Sequence, residues 1–102
     1  MSFTGKENCT VSLATAHDLN ENFRNNFPDQ PLGVYFSQKT LNEVLCQTSC
    51  VGIRFYFACD DAGQLTLTFA GVTSNEDDIL GIIGDGGLKC PPSCGASNPL
   101  NS

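Results

Sequence analysis

Val51-Gly52-Ile53-Arg54-Phe55-Tyr56-Phe57-Ala58-Cys59, then Asp60-Asp61-Ala62-Gly63, then Gln64-Leu65-Thr66-Leu67-Thr68-Phe69-Ala70, reads as two strands joined by a tight loop. Val51, Ile53, Phe55, Phe57 and Cys59 alternate with Gly52, Arg54, Tyr56 and Ala58, and Leu65, Leu67 and Phe69 alternate with Thr66, Thr68 and Ala70. A period of two is the mark of a strand with one apolar face. A three-residue loop, Asp61 to Gly63, with the glycine at the left-handed position, sets Asp60 opposite Gln64, Phe57 opposite Leu67 and Phe55 opposite Phe69. Every large apolar side chain then shares one face. A slip by one residue would mix the faces, so the register is well determined. The outer face carries Arg54, Tyr56, Thr66 and Thr68, a half-polar surface suited to solvent or to docking another copy.

Upstream of this hairpin (51–59/64–72), Ser37 caps a helix predicted over about 38–48, with Leu41, Val44, Leu45 and Thr48 on one stripe. Gly33-Val34-Tyr35-Phe36 is a short strand, 33–36, and Pro28 and Pro31 enforce a loop before it. Thr10 or Ser12 caps a helix over about 12–26, on which Leu13, Ala16, Leu19, Phe23 and Phe27 recur at helical spacing. Residues 1–9 read as a flexible lead-in. Downstream, Ser74-Asn75-Glu76-Asp77-Asp78 looks like a helix cap and acidic first turn, and Ile79, Leu80, Ile82 and Ile83 predict a short helix stopped by Gly84-Asp85-Gly86-Gly87. Residues 88–102 form a Cys/Pro-rich tail. The expectation is one α+β domain, 1–102, with a small mixed or antiparallel sheet and the two amphipathic helices packed on one of its faces.

Phe23-Arg24-Asn25-Asn26-Phe27-Pro28, the strand Gly52-Ile53-Arg54-Phe55-Tyr56-Phe57, the tail Cys90-Pro91-Pro92-Ser93-Cys94-Gly95 and the closing Asn98-Pro99-Leu100-Asn101 occur in this order. The arrangement resembles a group of small uncharacterised bacterial proteins, over most of the chain from about residue 12 onward. The resemblance implies no activity and supplies no catalytic residue. Cys46 and Cys50 fall outside it.

Composition excludes several roles. Eleven acidic against five basic residues give a net charge of −6, and the cations Lys6, Arg24, Lys39, Arg54 and Lys89 form no patch. Association with DNA, RNA or an anionic membrane would work against this field. No apolar run approaches the roughly 20 residues of a membrane span. The start of the chain has no basic-then-apolar pattern, so cytoplasmic residence is the default expectation, although non-classical export leaves no such mark.

Six cysteines among 102 residues are many for a reduced compartment. Cys46 and Cys50 share the spacing of Cys90 and Cys94, and four thiolates could hold zinc tetrahedrally, although a zinc knuckle commonly has two intervening residues rather than three. The simpler reading makes Cys46 and Cys59 small apolar fillers and has Cys90 and Cys94 order the tail. His17, the single histidine, stands beside Asp18 on the first helix and is the one imidazole available to a cysteine nucleophile. Glu76, Asp77, Asp78 and Asp85 lack the alternation of an EF-hand loop, and no glycine-rich turn leads from a strand into a helix. The expected function is a non-enzymatic structural or interaction module that self-associates, with no cofactor and no small-molecule substrate. The alternative is zinc binding or thiol regulation through Cys46, Cys50, Cys90 and Cys94.

Overall fold

The computed structural model describes residues 2–101. In chain order the elements are α1 (Leu13–Asn26), β1 (Gly33–Tyr35), α2 (Gln38–Leu45), β2 (Gly52–Cys59), β3 (Leu65–Val72), β4 (Asp78–Gly84) and β5 (Leu88–Cys90). The fold is α+β. Its strands form two antiparallel sheets: a meander β2-β3-β4 and a two-stranded sheet β1-β5. The short strand β1 therefore belongs to a sheet separate from the hairpin's.

The hairpin has the register its alternation dictates, with Phe55 opposite Phe69 and Phe57 opposite Leu67. Gly63 takes the left-handed turn at φ 79°. Asp60 closes the loop by accepting the N–H groups of Ala62 and Gln64 at Oδ1, both at 2.9 Å. This is an Asx-type use of a short carboxylate that leaves few loop amides unpaired.

Residues 78–84 are a strand, not the helix predicted over 79–83. Thr73–Asp77 makes a turn, with Glu76 N–H donating to the Thr73 carbonyl at 3.0 Å and Thr73 N–H to the Asp77 carbonyl at 2.9 Å. That turn folds the chain back against the free side of β3. Ile79, Ile82 and Ile83 are β-branched and stiff at χ1, which suits them to a pleated surface. Between the pairs Gly71/Ile79 and Ala70/Ile83 the register shifts, so Leu80, Gly81 and Ile82 bulge from the ladder.

The core lies on the second half of β3. Phe69 is fully buried, edge-on to Phe36 (centroids 4.8 Å apart) and tilted against Phe55 at 5.1 Å. Gly84 stands opposite Phe69, and a Cβ there would overlap the ring. On the same face Gly71 admits α2: a Cβ on it would come within 2.8 Å of Cys50 Sγ and 3.3 Å of the Val44 carbonyl oxygen. Ala70 and Val72 are buried on the other face. Ahead of α1, Phe3 N–H donates to the Ser74 carbonyl at 2.9 Å and its ring lies 5.9 Å from the Arg54 guanidinium carbon.

The helices differ. Ser37 Oγ accepts the Thr40 N–H, and α2 buries Val44 against the meander; it stops at Leu45, short of the predicted 48, before Ser49 turns the chain at φ 68°. Ser12 Oγ caps α1 through the Thr15 N–H, but no residue of α1 is buried. Its stripe does not bury against the sheet as predicted; Phe23 and Phe27 line an open groove beside Phe57, Cys59 and Leu65. The tail supports it instead, Asn20 Nδ2 and Arg24 Nη1 donating to the Leu100 carbonyl at 3.4 and 3.2 Å. Among the described residues, no helix is long and apolar enough to cross a membrane.

Gly84→Ala should lower unfolding stability by about 1–3 kcal/mol in urea titrations, since the Phe69 ring has no free space to move into. Gly52→Ala, where a Cβ would meet nothing within 4 Å, should leave the midpoint nearly unchanged. Equal effects at both positions would contradict this packing.

Candidate interaction surface

The outer hairpin face forms as the alternation requires, with Tyr56 opposite Thr68 and Ala58 opposite Thr66. Part of it is satisfied within the chain. Arg54 Nη1 donates to Asp78 Oδ1 at 2.7 Å, Arg54 also reaches the Glu76 carbonyl at 3.3 Å, and Tyr56 donates its hydroxyl to Asp78 Oδ2. Of the four residues named from the sequence, Arg54 is thus a clamp between β2 and β4, whereas Tyr56 keeps much of its ring in solvent and Thr66 and Thr68 are half-buried.

The cysteines do not assemble as a four-thiolate site. Cys90 and Cys94 are joined in a disulfide across the Pro91-Pro92 turn, with Cα atoms 4.6 Å apart. Cys50 lies under Gly71 and donates its thiol to the Gly52 carbonyl at 3.2 Å. Cys46 and Cys59 are exposed rather than core fillers: Cys46 is the C-cap just beyond α2 and Cys59 is the last residue of β2, both outside the packed region. Among the described residues, no group of three or more His, Cys, Asp or Glu side chains converges as metal ligands would. Asp78 of the acidic run is taken up by Arg54 and Tyr56, and His17 lies between carboxylates of its own helix, 3.2 Å from Asp18 and 3.9 Å from Glu21.

The feature that sequence reasoning missed is apolar and lies on the hairpin's open side. Phe57, on the strand face expected to be buried, is 84% exposed. Beside it Phe23, Phe27, Gln30, Cys59 and Leu65 line a groove of about 430 Å³. The signal was present: a strand carrying Phe55, Tyr56 and Phe57 in succession has aromatic rings on both faces, and one small domain cannot cover both. No family model matches the chain, and no match is found among curated proteins or solved structures.

An ion pair links the two sheets, from Lys89 of β5 to Asp60 at the hairpin end. The hydrogen bond from Lys89, followed by the N–H of Gln64, holds the Asp60 carboxyl below its usual range. A folded value below the unfolded one, about 3.9, gives stability that is present above that pH and lost as pH falls through the folded value. The melting temperature should therefore be steady near neutrality and drop below about pH 4. Asp60→Asn should lower it at neutral pH and flatten this acid limb. An unaltered acid limb in Asp60→Asn would show that the pair contributes nothing.

Proposed function

We propose that this protein is a non-enzymatic structural module that works by self-association into a homo-oligomer or larger assembly. One observation carries the reading: the single chain leaves too much of itself in water. Its accessible surface is 7096 Å², against about 5,600 Å² for a folded monomer of this mass. Its radius of gyration is 15.0 Å, against about 13 Å for a compact domain of this length. The surplus exceeds the roughly 800 Å² that each partner contributes to a standard interface. Much of it is apolar: Val11, Leu13, Leu19, Phe27, Phe57 and Leu80 are all more than half exposed. Scattered exposed leucines are ordinary, but a contiguous aromatic surface beside a groove is a docking surface.

The alternative, zinc or thiol regulation through Cys46, Cys50, Cys90 and Cys94, requires reduction of the Cys90–Cys94 bond before those sulfurs could bind metal. A persistent disulfide belongs to an oxidising compartment, which favours an exported, architectural role over the cytoplasmic default.

Native mass spectrometry with and without a chelator separates the two. The structural reading predicts a metal-free multimer that ignores the chelator; a chelator-sensitive monomer carrying one zinc would replace it with the alternative. Tyr56→Asp, which sets a charge on the outer face beside Asp78, should shift the multimer toward monomer with the circular dichroism spectrum unchanged. Persistence of the multimer would remove the outer hairpin face from the interface.

A further inference from the structure

We propose that the partner is a second copy of this chain, joined edge to edge through β2. The two three-stranded meanders then form one continuous antiparallel sheet about a two-fold axis at Tyr56. The inference rests on the self-association reading above and specifies its interface.

The hairpin's own hydrogen bonds define the free edge. Asp60 N–H donates to the Gln64 carbonyl at 2.9 Å. In the antiparallel alternation that follows, Ala58/Thr66, Tyr56/Thr68 and Arg54/Ala70 exchange bonds within the hairpin, so Ile53, Phe55 and Phe57 turn their N–H and C=O groups outward. Among the described residues β2 pairs with β3 alone.

Edge strands are commonly blunted by shortness, proline, charge or a bulge. The other edges carry such devices: β1 and β5 have three residues each, and β4 is interrupted by its bulge at Leu80–Ile82. β2 carries none of them. Its eight residues run in unbroken register without proline, and its single charge, Arg54, is turned inward to Asp78. Near its start the N-terminal stretch lies against the chain, where a Cβ on Gly5 would come within 2.8 Å of the Val51 carbonyl oxygen, and a cleft of about 410 Å³ is lined by Phe3, Gly5, Glu7 and Cys9 together with Val51–Arg54.

The sequence of the edge selects a copy of itself. An antiparallel partner reads the strand in reverse, and Phe55-Tyr56-Phe57 is the same in both directions. It is also the exposed part, at 46%, 45% and 84%. Centring the axis on Tyr56 places Tyr56 against Tyr56 in a non-bonded pair, Phe55 of each copy against Phe57 of the other, and Ile53 against Cys59. Outward-bonding residues then meet outward-bonding residues throughout, giving about eight ladder hydrogen bonds, within the usual number for a stable interface. Phe55 and Ile53 of one copy would also lie along the rim of the other's groove at Phe57 and Cys59.

Two variants test this by non-reducing electrophoresis, peptide mapping and native mass spectrometry. Phe57→Pro removes an outward N–H that the hairpin does not use, and should convert multimer to monomer with the circular dichroism spectrum retained. Tyr56→Cys in a Cys59→Ser background, exposed to oxidised glutathione, should yield a 56–56 linked peptide. Opposed Cα atoms there would lie about 4.5 Å apart, within disulfide reach. Ala58→Cys in the same background should yield none, its two copies being about 13 Å apart along the strands. A multimer that survives Phe57→Pro, or a Tyr56→Cys protein without the 56–56 peptide, overturns the β2 interface while leaving self-association standing. If Phe57→Pro fails to fold, the cross-link pattern decides alone. A wild-type monomer at micromolar concentration overturns both.

Discussion

Phe69 can be wholly buried because the residue opposite it, Gly84, has no side chain. The rest of the fold is arranged around that contact. With the ring seated between Phe36 and Phe55, β4 lies close against β3 and the chain leaves it under the aromatic cluster. Gly87 then passes so near Val34 and Phe36 that a Cβ there would overlap both. Those two close approaches deliver β5 to β1 and bring Lys89 to Asp60, so the aromatic cluster and an ion pair both tie the smaller sheet to the larger.

Such an arrangement covers little. Among the described residues the buried hydrophobic side chains are Val44, Phe69, Ala70 and Val72, on or against the second half of β3, and of these Val44 and Phe69 are fully buried. Phe55, Tyr56 and Phe57 of β2, Leu13 and Leu19 of α1 and Leu80 in the bulge of β4 remain exposed. A small domain is marginal even when well packed, and this one leaves many large apolar side chains exposed. The net charge of −6 would oppose association of copies through any surface with few contacts. On β2 the one charged side chain is already paired within the chain.

What was legible in the sequence follows from how local each signal is. The hairpin register was readable because alternation and the Asp60–Gly63 loop are sufficient to define it, and both helix caps, Ser12 and Ser37, act within three residues. β4 was misread because Ile79, Leu80, Ile82 and Ile83 fit a helical stripe as well as a bulged strand. The deciding influence, an unpaired side of β3, lies elsewhere in the chain. The stripe on α1 is legible as amphipathic but not as left unburied, since only the tertiary structure reveals that Phe23 and Phe27 face an open groove rather than a packed sheet. The outer face was found at Tyr56, Thr66 and Thr68, while the edge itself was not: which strand of a sheet is outermost is a property of topology, and the alternation within β2 carries no mark of it.

Residue-resolved amide hydrogen exchange on the assembled protein tests the central claim most directly. Within a lone chain, the amides of Tyr56 and Ala58 are held in the hairpin ladder whereas those of Phe55 and Phe57 face outward. If two copies join through β2, Phe55 and Phe57 should be protected to the same degree as Tyr56, and should lose that protection on dilution to monomer. Rapid exchange at Phe55 and Phe57 in the intact assembly, beside a protected Tyr56, would contradict it.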